Sequence, residues 1–510
     1  MTAALPLLSA TDAFGALDGV DALVLLVAPG EDAPELLPGS GAGADLAAGF
    51  GLDLAGTLAR LEVTGAAGQA VSLPLPVIAD DDRWAQFPPL LLFAGVGDGS
   101  AVDARRAGAA IARAARPGQV VAIADLAGLT DPAATALVEG LVLASYRHPF
   151  RGAGPGPTGP ADQFRLVGVD PDALAGGLCS AEATVVARRW AATPSNVKNP
   201  QWFAEQAVDA VEALGRRSGG SAATTRVRVH DEQWIREHGL GGLAAVGNGS
   251  ATPPRLVVVE YTPAGAEPGR IVLVGKGITY DTGGISIKPR AAMVPMKTDM
   301  AGAAAVLAAV LGAAEAGVAT SVVGVLPMAE NAFSGGSYRP GDIVTIADGT
   351  TVEIGNTDAE GRMVLADGMA WARAHYEPEA MIDVATLTGA ASLGLGKEHG
   401  ALYATADRLA HGLESAGEQT GEALWRMPLV DDYAAALTSP VADLSHISRD
   451  RHVGGGSITA ALFLRHFAGD VPWAHLDIAG PGRAARTTGI LTEGATGFGA
   501  RTLLRFLRDY

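Results

Sequence analysis

Short apolar runs that end at glycine or proline alternate with amphipathic helical patterns along this 510-residue chain. In the first part, the apolar run 22–27 stops at Pro29-Gly30, and the helical pattern 101–115 follows a glycine-rich loop. Such alternation is typical of α/β folds with a largely parallel sheet. A chain of this length is longer than the chains that usually fold around a single hydrophobic core. We therefore predict two domains, a smaller N-terminal α/β domain at 1–178 and a larger C-terminal domain at 179–510.

Turn signals between apolar runs predict further pairings in the second domain. The strands 255–261 and 271–274 are predicted to form a hairpin through the loop 262–269, and a second hairpin is predicted at 343–354 around Asp348-Gly349. A strand at 320–326 is predicted to end before Pro327. The glycine- and proline-rich segment 151–163 is predicted to be an exposed loop.

Charge and cysteine content exclude several classes of protein. The formal net charge is −18, from 37 Lys and Arg against 55 Asp and Glu, which disfavours nucleic acid and anionic membranes as partners. Cys179 is the only cysteine, so no intrachain disulfide or thiolate metal cluster is expected. The first basic residue is Arg60, which does not fit a secretory signal. The apolar stretch 302–326 contains Glu315 and is predicted to be a buried helix and strand. We expect a cytoplasmic protein without a membrane span.

The segment 356–362 places two carboxylates and a guanidinium between a strand pattern and a helical pattern. In an extended segment alternate side chains share a face, so Asp358, Glu360 and Arg362 are predicted to point the same way. Converging charges at such a junction favour a function in holding metal ions beside a polar substrate.

A second polar segment, 274–284, leaves a predicted strand through several glycines. Open α/β sheets place their sites at the carboxyl ends of strands, which suits Lys276 and Asp281. With Asp299, Asp358 and Glu360, Asp281 makes a set of four carboxylates that two divalent cations would balance. Neither segment contains His or Cys, so the set favours oxygen ligands and Zn²⁺, Mn²⁺, Mg²⁺ or Co²⁺.

Lysine is scarce, because only five of the 37 basic residues are lysines, yet three lie within the 22 residues 276–297. Lysine can lose its proton and arginine cannot, so surviving lysines are candidates for functions closed to arginine. Lys276 could ligate a metal as a neutral amine, whereas charged Lys288 could stabilise an oxyanion. Arg362 offers a planar fork for a carboxylate or carbonate.

These segments resemble the leucyl (cytosol) aminopeptidase family. Its signature, Asn-Thr-Asp-Ala-Glu-Gly-Arg, is intact at 356–362, and its glycine-rich block is similar to 274–289 with 296–300. Further similar blocks lie at 338–342, 383–390 and 473–480, so the resemblance extends from about 180 to 485. It implies a two-domain α/β fold whose larger catalytic domain has a mixed central sheet flanked by helices. It also implies a homohexamer that releases N-terminal residues, often Leu, from peptide substrates.

The resemblance also assigns roles to residues. It implies a tighter metal held by Lys276, Asp281, Asp299 and Glu360. It implies a more exchangeable metal held by Asp281, Asp358 and Glu360, with Zn²⁺ or Mn²⁺ the favoured ions. Lys288 and Arg362 are the implied catalytic pair, with a bicarbonate on Arg362 as general base toward a metal-activated water.

Three alternatives remain open from the sequence. A dinuclear phosphohydrolase also uses acid-rich metal pairs. A DNA-binding architectural role occurs in some relatives of the family, although the charge of −18 weighs against it. A metal-free scaffold is disfavoured by the intact ligand positions.

Overall fold

The computed structural model describes residues 5–11, 19–38, 41, 45, 51–75, 88–148, 160–217, 223–266, 270–450 and 452–510. The chain divides into two compact units. Unit 1 comprises Met1–Glu182 and Arg486–Thr492, and unit 2 comprises Ala183–Ala485 and Glu493–Tyr510. Most of the predicted loop 151–163 lies outside the described residues.

Unit 1 is an α/β unit around one sheet. Its strands are β1 (Leu7–Thr11), β2 (Ala22–Ala28), β3 (Glu35–Leu36), β4 (Ala70–Pro74), β5 (Leu90–Gly95), β6 (Val120–Ile123) and β7 (Gln163–Val167). Its helices are α1 (Leu54–Arg60), α2 (Ala101–Ala114), α3 (Asp131–Ser145) and the first part of α4 (Pro171–Ala192). The strand order is β1-β7-β6-β2-β5-β4, with β3 beside β2. The pairs β1-β7, β7-β6, β6-β2 and β2-β5 are parallel. Strand β3 is antiparallel to β2, and β4 is antiparallel to β5.

Unit 2 contains the larger sheet. Its strands are β8 (Thr224–His230), β9 (Arg255–Thr262), β10 (Ile271–Gly275), β11 (Gly277–Asp281), β12 (Val322–Asn331), β13 (Ile343–Thr345), β14 (Thr351–Glu353), β15 (Ala380–Ala385), β16 (Gly400–Ala404), β17 (Leu424–Arg426), β18 (Leu444–Ser445), β19 (Trp473–Asp477), β20 (Arg483–Ala484) and β21 (Gly494–Ala495). Its helices are α5 (Pro200–Arg217), α6 (Glu232–Glu237), α7 (Gly241–Gly247), α8 (Arg290–Met293), α9 (Ala301–Glu315), α10 (Gly361–Tyr376), α11 (Gly389–Leu395), α12 (Asp407–Thr420), α13 (Gly456–Ala468) and α14 (Ala500–Asp509).

The central sheet of unit 2 is mixed, which confirms the predicted fold class. Its order is β17-β16-β19-β15-β10-β12-β9-β8, with β11 beside β12. The inner strands β19, β15, β10 and β12 are parallel, whereas β9 runs antiparallel to β12. Val272, Leu273 and Val274 are fully buried, as expected for a parallel strand covered on both faces.

The predicted hairpin of 255–261 with 271–274 is wrong, because β12 lies between β9 and β10. The prediction that the strand ends before Pro327 is also wrong. β12 continues to Asn331, pairing first with β10 and then with β11. Pro327 is the register partner of Leu256 on β9, so a proline lies inside this central strand. The hairpin at 343–354 is confirmed, since β13 and β14 pair antiparallel.

One stretch, Arg290–Glu315, is long and apolar enough by composition to cross a membrane. However, 72% of its most apolar window is buried inside the protein. It contains α9, whose residues Ala303 to Val310 are almost wholly enclosed. Burial of this kind is typical of a core helix in a globular domain.

Candidate metal centre

Four acidic side chains and two buried or half-buried lysines are among the residues that line one cavity of about 510 Å³ in unit 2. They are the six residues that the sequence singled out as metal ligands and as the catalytic lysine. The set is Lys276, Asp281, Lys288, Asp299, Asp358 and Glu360.

The strand ends and helix starts of unit 2 bring the acids to this cavity. Asp281 is the last residue of β11, and Asp299 lies between the 3₁₀ turn Met296–Thr298 and α9. Asp358 lies in a turn, and Glu360 directly precedes α10. In the described residues, carboxylate oxygens of Asp281, Asp358 and Glu360 lie within 4.8 Å of one another.

Lys276, between β10 and β11, is buried against two of the acids. Its Nζ lies 2.8 Å from Asp299 Oδ2 and 3.0 Å from Glu360 Oε1, and it donates to the carbonyl oxygen of Thr386 at 3.0 Å. Burial alone would lower the pKa of Lys276, but the charges of Asp299 and Glu360 outweigh burial and raise it. The lysine is therefore an ammonium wherever these carboxylates are its only charged neighbours.

Lys288 is paired with the other two acids. Its Nζ lies 2.7 Å from Asp281 Oδ2 and also contacts Asp358 Oδ1. Burial acts to lower the pKa of Lys288, yet the nearby carboxylates, chiefly that of Asp281, raise it above its ordinary value. Lys288 consequently keeps its positive charge at neutral pH.

The crowding of the acids perturbs their own titration. Burial, reinforced by the charges of Glu360 and Asp299, raises the pKa of Asp281 to about 8. Burial also raises the pKa of Asp299 and of Asp358. It acts in the same direction on Glu360, but the two ammonium groups outweigh it and lower the pKa of that residue. Four carboxylates held together at this cost are typical of a site built for cations.

The sequence predicted that Asp358, Glu360 and Arg362 share a face because the segment is extended, and this prediction is wrong. The chain turns at Thr357-Asp358 and enters α10 at Gly361, so an extended alternation does not apply. Asp358 and Glu360 reach the cavity, but Arg362 is not among its lining residues. Instead, Arg362 Nη1 donates to the carbonyl oxygen of His446 at 2.6 Å. Burial lowers the pKa of Arg362 to about 10, which leaves it charged at neutral pH.

Two polar side chains that the sequence did not identify support the acids. Asn331, at the end of β12, donates from Nδ2 to Asp281 Oδ1 at 2.8 Å and to the carbonyl oxygen of Thr357 at 3.0 Å. Thr386, after β15, donates from Oγ1 to Asp299 Oδ1 at 2.7 Å. Thr386 lies in the block 383–390 that resembles the family, whereas the only sequence signal of Asn331 is a position after an apolar run, which many surface residues share.

Two glycines permit the close approach of these groups. A Cβ at Gly361 would overlap the Cε of Lys276, so the first turn of α10 can meet the lysine only without a side chain. Gly283 has φ of +87°, and a Cβ there would lie 2.9 Å from Asp358 Oδ1. The glycine therefore serves both the turn after β11 and the approach of the signature segment.

The donor set fits divalent cations. When all four carboxylates are ionised, two ammonium groups balance only half of their charge, and the remainder matches the requirement of cations for anionic oxygen. Two carboxylate oxygens, Asp299 Oδ2 and Asp358 Oδ1, are buried, and each contacts an ammonium group, that of Lys276 and that of Lys288 respectively. Arg362 Nε is also buried but has no acceptor in the described chain, which fits a small anion beside it. An α/β unit with such an acid cluster at its strand ends defines a metal-dependent hydrolase.

The chain belongs to the cytosol aminopeptidase family. The family's catalytic domain matches residues 185–504. A probable cytosol aminopeptidase of Chelativorans sp. (strain BNC1) is 40% identical over 415 residues, 79% of this chain and 81% of that protein. The chain is thus a leucyl aminopeptidase-type metallo-hydrolase that acts on peptides, in a family that depends on two metal ions.

Solved structures agree across both units of the chain. The bottromycin maturation enzyme BotP in complex with Mn is 36% identical, with a TM-score of 0.81 and coverage of 96% of this chain and 99% of that one. A mutant of tomato leucine aminopeptidase is 28% identical, with a TM-score of 0.83 and coverage of 100% and 98%. The predicted family and enzyme class are therefore confirmed.

Proposed function

We propose that the chain hydrolyses the N-terminal peptide bond of peptides, with Leu-type first residues favoured, through two divalent cations and a bicarbonate. The observation that carries this proposal is the convergence of four carboxylates and two lysines in one cavity of about 510 Å³. Such a cavity has room for the first residues of a peptide and for ions at its acidic wall.

The contacts with the two lysines divide the four acids into two pairs. Asp299 and Glu360 both contact Lys276, while Asp281 and Asp358 both contact Lys288. We assign one cation to Lys276, Asp281, Asp299 and Glu360, and the other to Asp281, Asp358 and Glu360. Bound divalent cations would supply Lewis acidity, polarising a carbonyl and lowering the pKa of coordinated water.

Lys276 has to change protonation state in this assignment. Its pKa is raised because its charged neighbours are carboxylates. Cations on the same carboxylates would oppose an ammonium, and an amine nitrogen becomes a ligand only after losing its proton. Arginine cannot take this role, which gives a physical reason for lysine at 276 in an arginine-rich chain.

Lys288 acts through its retained charge. It is partly accessible within the cavity, with 13% side-chain exposure, and its raised pKa keeps it protonated. A fixed ammonium beside the reacting carbonyl group stabilises the negative charge that develops on its oxygen during attack. We therefore assign Lys288 to oxyanion stabilisation rather than to metal binding.

Arg362 is assigned to hold the bicarbonate. Its Nη1 donates a hydrogen bond to the carbonyl oxygen of His446, while its Nε has no acceptor in the described chain. A planar anion would satisfy this buried donor, and the chemistry that bicarbonate supplies when bound is general-base proton transfer. Arg362 itself remains a charged anchor because of its high pKa.

Metal identity, assembly and location extend the proposal. We favour Mn²⁺ or Zn²⁺, with Mg²⁺ and Co²⁺ as weaker candidates, because one solved relative is described in complex with Mn. We also propose a homohexamer and a cytoplasmic location, and membership of the cytosol aminopeptidase family supports both. Sedimentation of the purified protein tests the assembly directly.

Metal analysis combined with an exopeptidase assay tests the central proposal. We expect two divalent ions per chain and hydrolysis of Leu-4-nitroanilide that a chelator abolishes and Mn²⁺ restores. Hydrolysis should require a free α-amine, so N-acetyl-Leu-4-nitroanilide should remain intact. Turnover of 4-nitrophenyl phosphate with none of Leu-4-nitroanilide would favour the phosphohydrolase alternative, and activity that survives complete metal removal would contradict both.

A further inference from the structure

Two further cationic side chains, Arg483 and Lys397, line the same cavity and have no role in the assignments above. Arg483, on β20, is half-buried and shares the cavity with the metal-centre residues. Lys397, just after α11, is exposed and lines the same cavity at its rim. Within the described part of the chain, neither side chain makes an ion pair or a side-chain hydrogen bond.

The acids of the cavity are already committed to other groups. Lys276 and Lys288 each contact two of the four carboxylates, so every acid has an ammonium neighbour closer than Arg483. Asp299 affects Arg483 only through space: burial lowers the pKa of Arg483, and the charge of Asp299 partly opposes this effect. Two bound cations would leave still less negative charge available to the arginine.

An unpaired guanidinium in a partly buried position is costly unless a ligand satisfies it. Its fork of N–H donors matches the two oxygens of a carboxylate better than any other group of a peptide. Apart from the acids and lysines named above, the residues that line the cavity are apolar or neutral, and they include Leu387, Leu393 and Ala479. They offer contact surface to an aliphatic chain but no competing anion.

We infer that Arg483, assisted by Lys397 at the rim, forms a subsite for a carboxylate of the peptide substrate. This inference rests on the proposed exopeptidase function and adds a specificity determinant to it. The carboxylate has two possible sources on a short peptide, an acidic side chain on the first residue and the C-terminal carboxylate of a dipeptide. Both present the same planar anion, and matched substrates separate them.

The test compares kcat/KM within two substrate pairs in Mn²⁺-loaded protein. The first pair, Glu-4-nitroanilide and Gln-4-nitroanilide, differs only in the charge of the first side chain. The second pair, the dipeptide Leu-Gly and Leu-Gly-amide, differs only at the C-terminus. We expect Arg483→Met to reduce the charged-to-neutral ratio in at least one pair by about 10- to 100-fold, as for loss of a charge-assisted hydrogen bond.

Further variants guard against indirect effects. Arg483→Lys keeps the charge but not the fork, so it should restore part of the ratio. Lys397→Met should reduce the same ratio by a smaller factor, because its ammonium is exposed. Arg236→Met removes an exposed positive charge on α6 and should leave both ratios at the wild-type value. Melting temperatures report whether each variant folds.

The outcomes separate this inference from the proposed function. Equal losses on charged and neutral substrates in Arg483→Met would assign the arginine to support of the metal centre and overturn the subsite. Unchanged ratios in both pairs would overturn it as well. Wild-type hydrolysis of Leu-4-nitroanilide is scored separately, and its absence with Mn²⁺ bound would reject the exopeptidase proposal and this inference together.

Discussion

Lys198 donates a hydrogen bond from its buried ammonium to the carbonyl oxygen of Lys297, at 2.5 Å, two residues before Asp299. The same Nζ donates to the carbonyl oxygens of Trp190 and Ala191, at 3.2 and 3.0 Å. These last two carbonyls belong to the C-terminal turn of α4. One ammonium thus ties the end of a helix to the segment that delivers Asp299 to the cavity.

We predict that Lys198→Met weakens both the fold and metal binding. Loss of the ammonium leaves buried carbonyl oxygens without a donor, which should lower the free energy of unfolding by about 1–3 kcal/mol. Because the 296–298 turn loses its tether, Mn²⁺ affinity should fall as well. Urea unfolding and metal titration measure the two effects. Lys198→Arg should not rescue either, since a planar guanidinium does not fit a wholly enclosed site; a full rescue would contradict this reading.

Glu360 is predicted to be indispensable for metal. It is 1% exposed and contacts Lys276, and it is assigned to both cations. Glu360→Ala should therefore lose bound metal and nearly all hydrolysis of Leu-4-nitroanilide. Metal content per chain measures the first effect. Glu379→Ala is a matched control, because Glu379 is an exposed acid paired with Arg270 outside the cavity. Full metal content in Glu360→Ala would remove Glu360 from the ligand set.

Lys288 is predicted to separate catalysis from metal binding. Lys288→Ala removes the charge that faces a developing oxyanion, and a loss of about 10²–10³ in kcat is typical for one such donor. Metal content should stay at the wild-type level, because no cation is assigned to Lys288. Turnover near that of the wild type would refute the catalytic role. Loss of bound metal in Lys288→Ala would show that Lys288 has a structural role at the metal centre.

The residue types of the site could be predicted because they follow local patterns. Asp281 and Lys276 lie at strand ends, and Asp358 and Glu360 lie beside a helix start, where chain order alone indicates a shared edge. The direction of Arg362 was not predictable from the same patterns. A two-residue alternation requires extended backbone, and here the backbone turns at Asp358 and becomes helical at Gly361.

Strand pairing between segments that are distant in the sequence cannot be predicted from local patterns. The order β10-β12-β9 separates two strands that are adjacent in sequence, and nothing local distinguishes this arrangement from a hairpin. Pro327 is typical of a strand end, yet β12 continues past it because β12 pairs first with β10 and then with β11. A strand that ends before Pro327 leaves Asn331 outside the sheet, so the contact of Asn331 with Asp281 does not follow from the sequence pattern.

Asn331 is predicted to be a positioning residue for the ligands. Its Nδ2 donates to Asp281 at 2.8 Å, lies 3.4 Å from Glu360 Oε2 and also donates to the carbonyl oxygen of Thr357. Asn331→Ala should weaken Mn²⁺ binding by about 10- to 100-fold, as for loss of other groups that orient metal ligands. Excess Mn²⁺ should restore most of kcat, because the ligands themselves remain. An unchanged Mn²⁺ dissociation constant would show that the acids are oriented without Asn331.

His446 is predicted to make stability depend on pH below neutrality. It is wholly buried, and its imidazole lies between backbone groups of Glu353, Gly355 and Asn356. Burial, with the nearby charge of Arg362, lowers the pKa of His446 to about 4. The unfolded chain therefore binds a proton at His446 between about pH 6.5 and pH 4 that the folded chain does not bind.

The sign of this dependence follows from linkage. The contribution of His446 to the free energy of unfolding is complete above the pKa of the unfolded chain, near 6.5. It is lost as pH falls toward 4, and the total loss is about 3 kcal/mol. Urea unfolding of chelator-treated wild type and His446→Gln at pH 7.5, 6.0 and 4.5 isolates it, because the carboxylates titrate in both proteins. The stability advantage of the wild type should shrink as pH falls. A constant difference across this range would mean that the buried imidazole is protonated in the folded chain as readily as in the unfolded one.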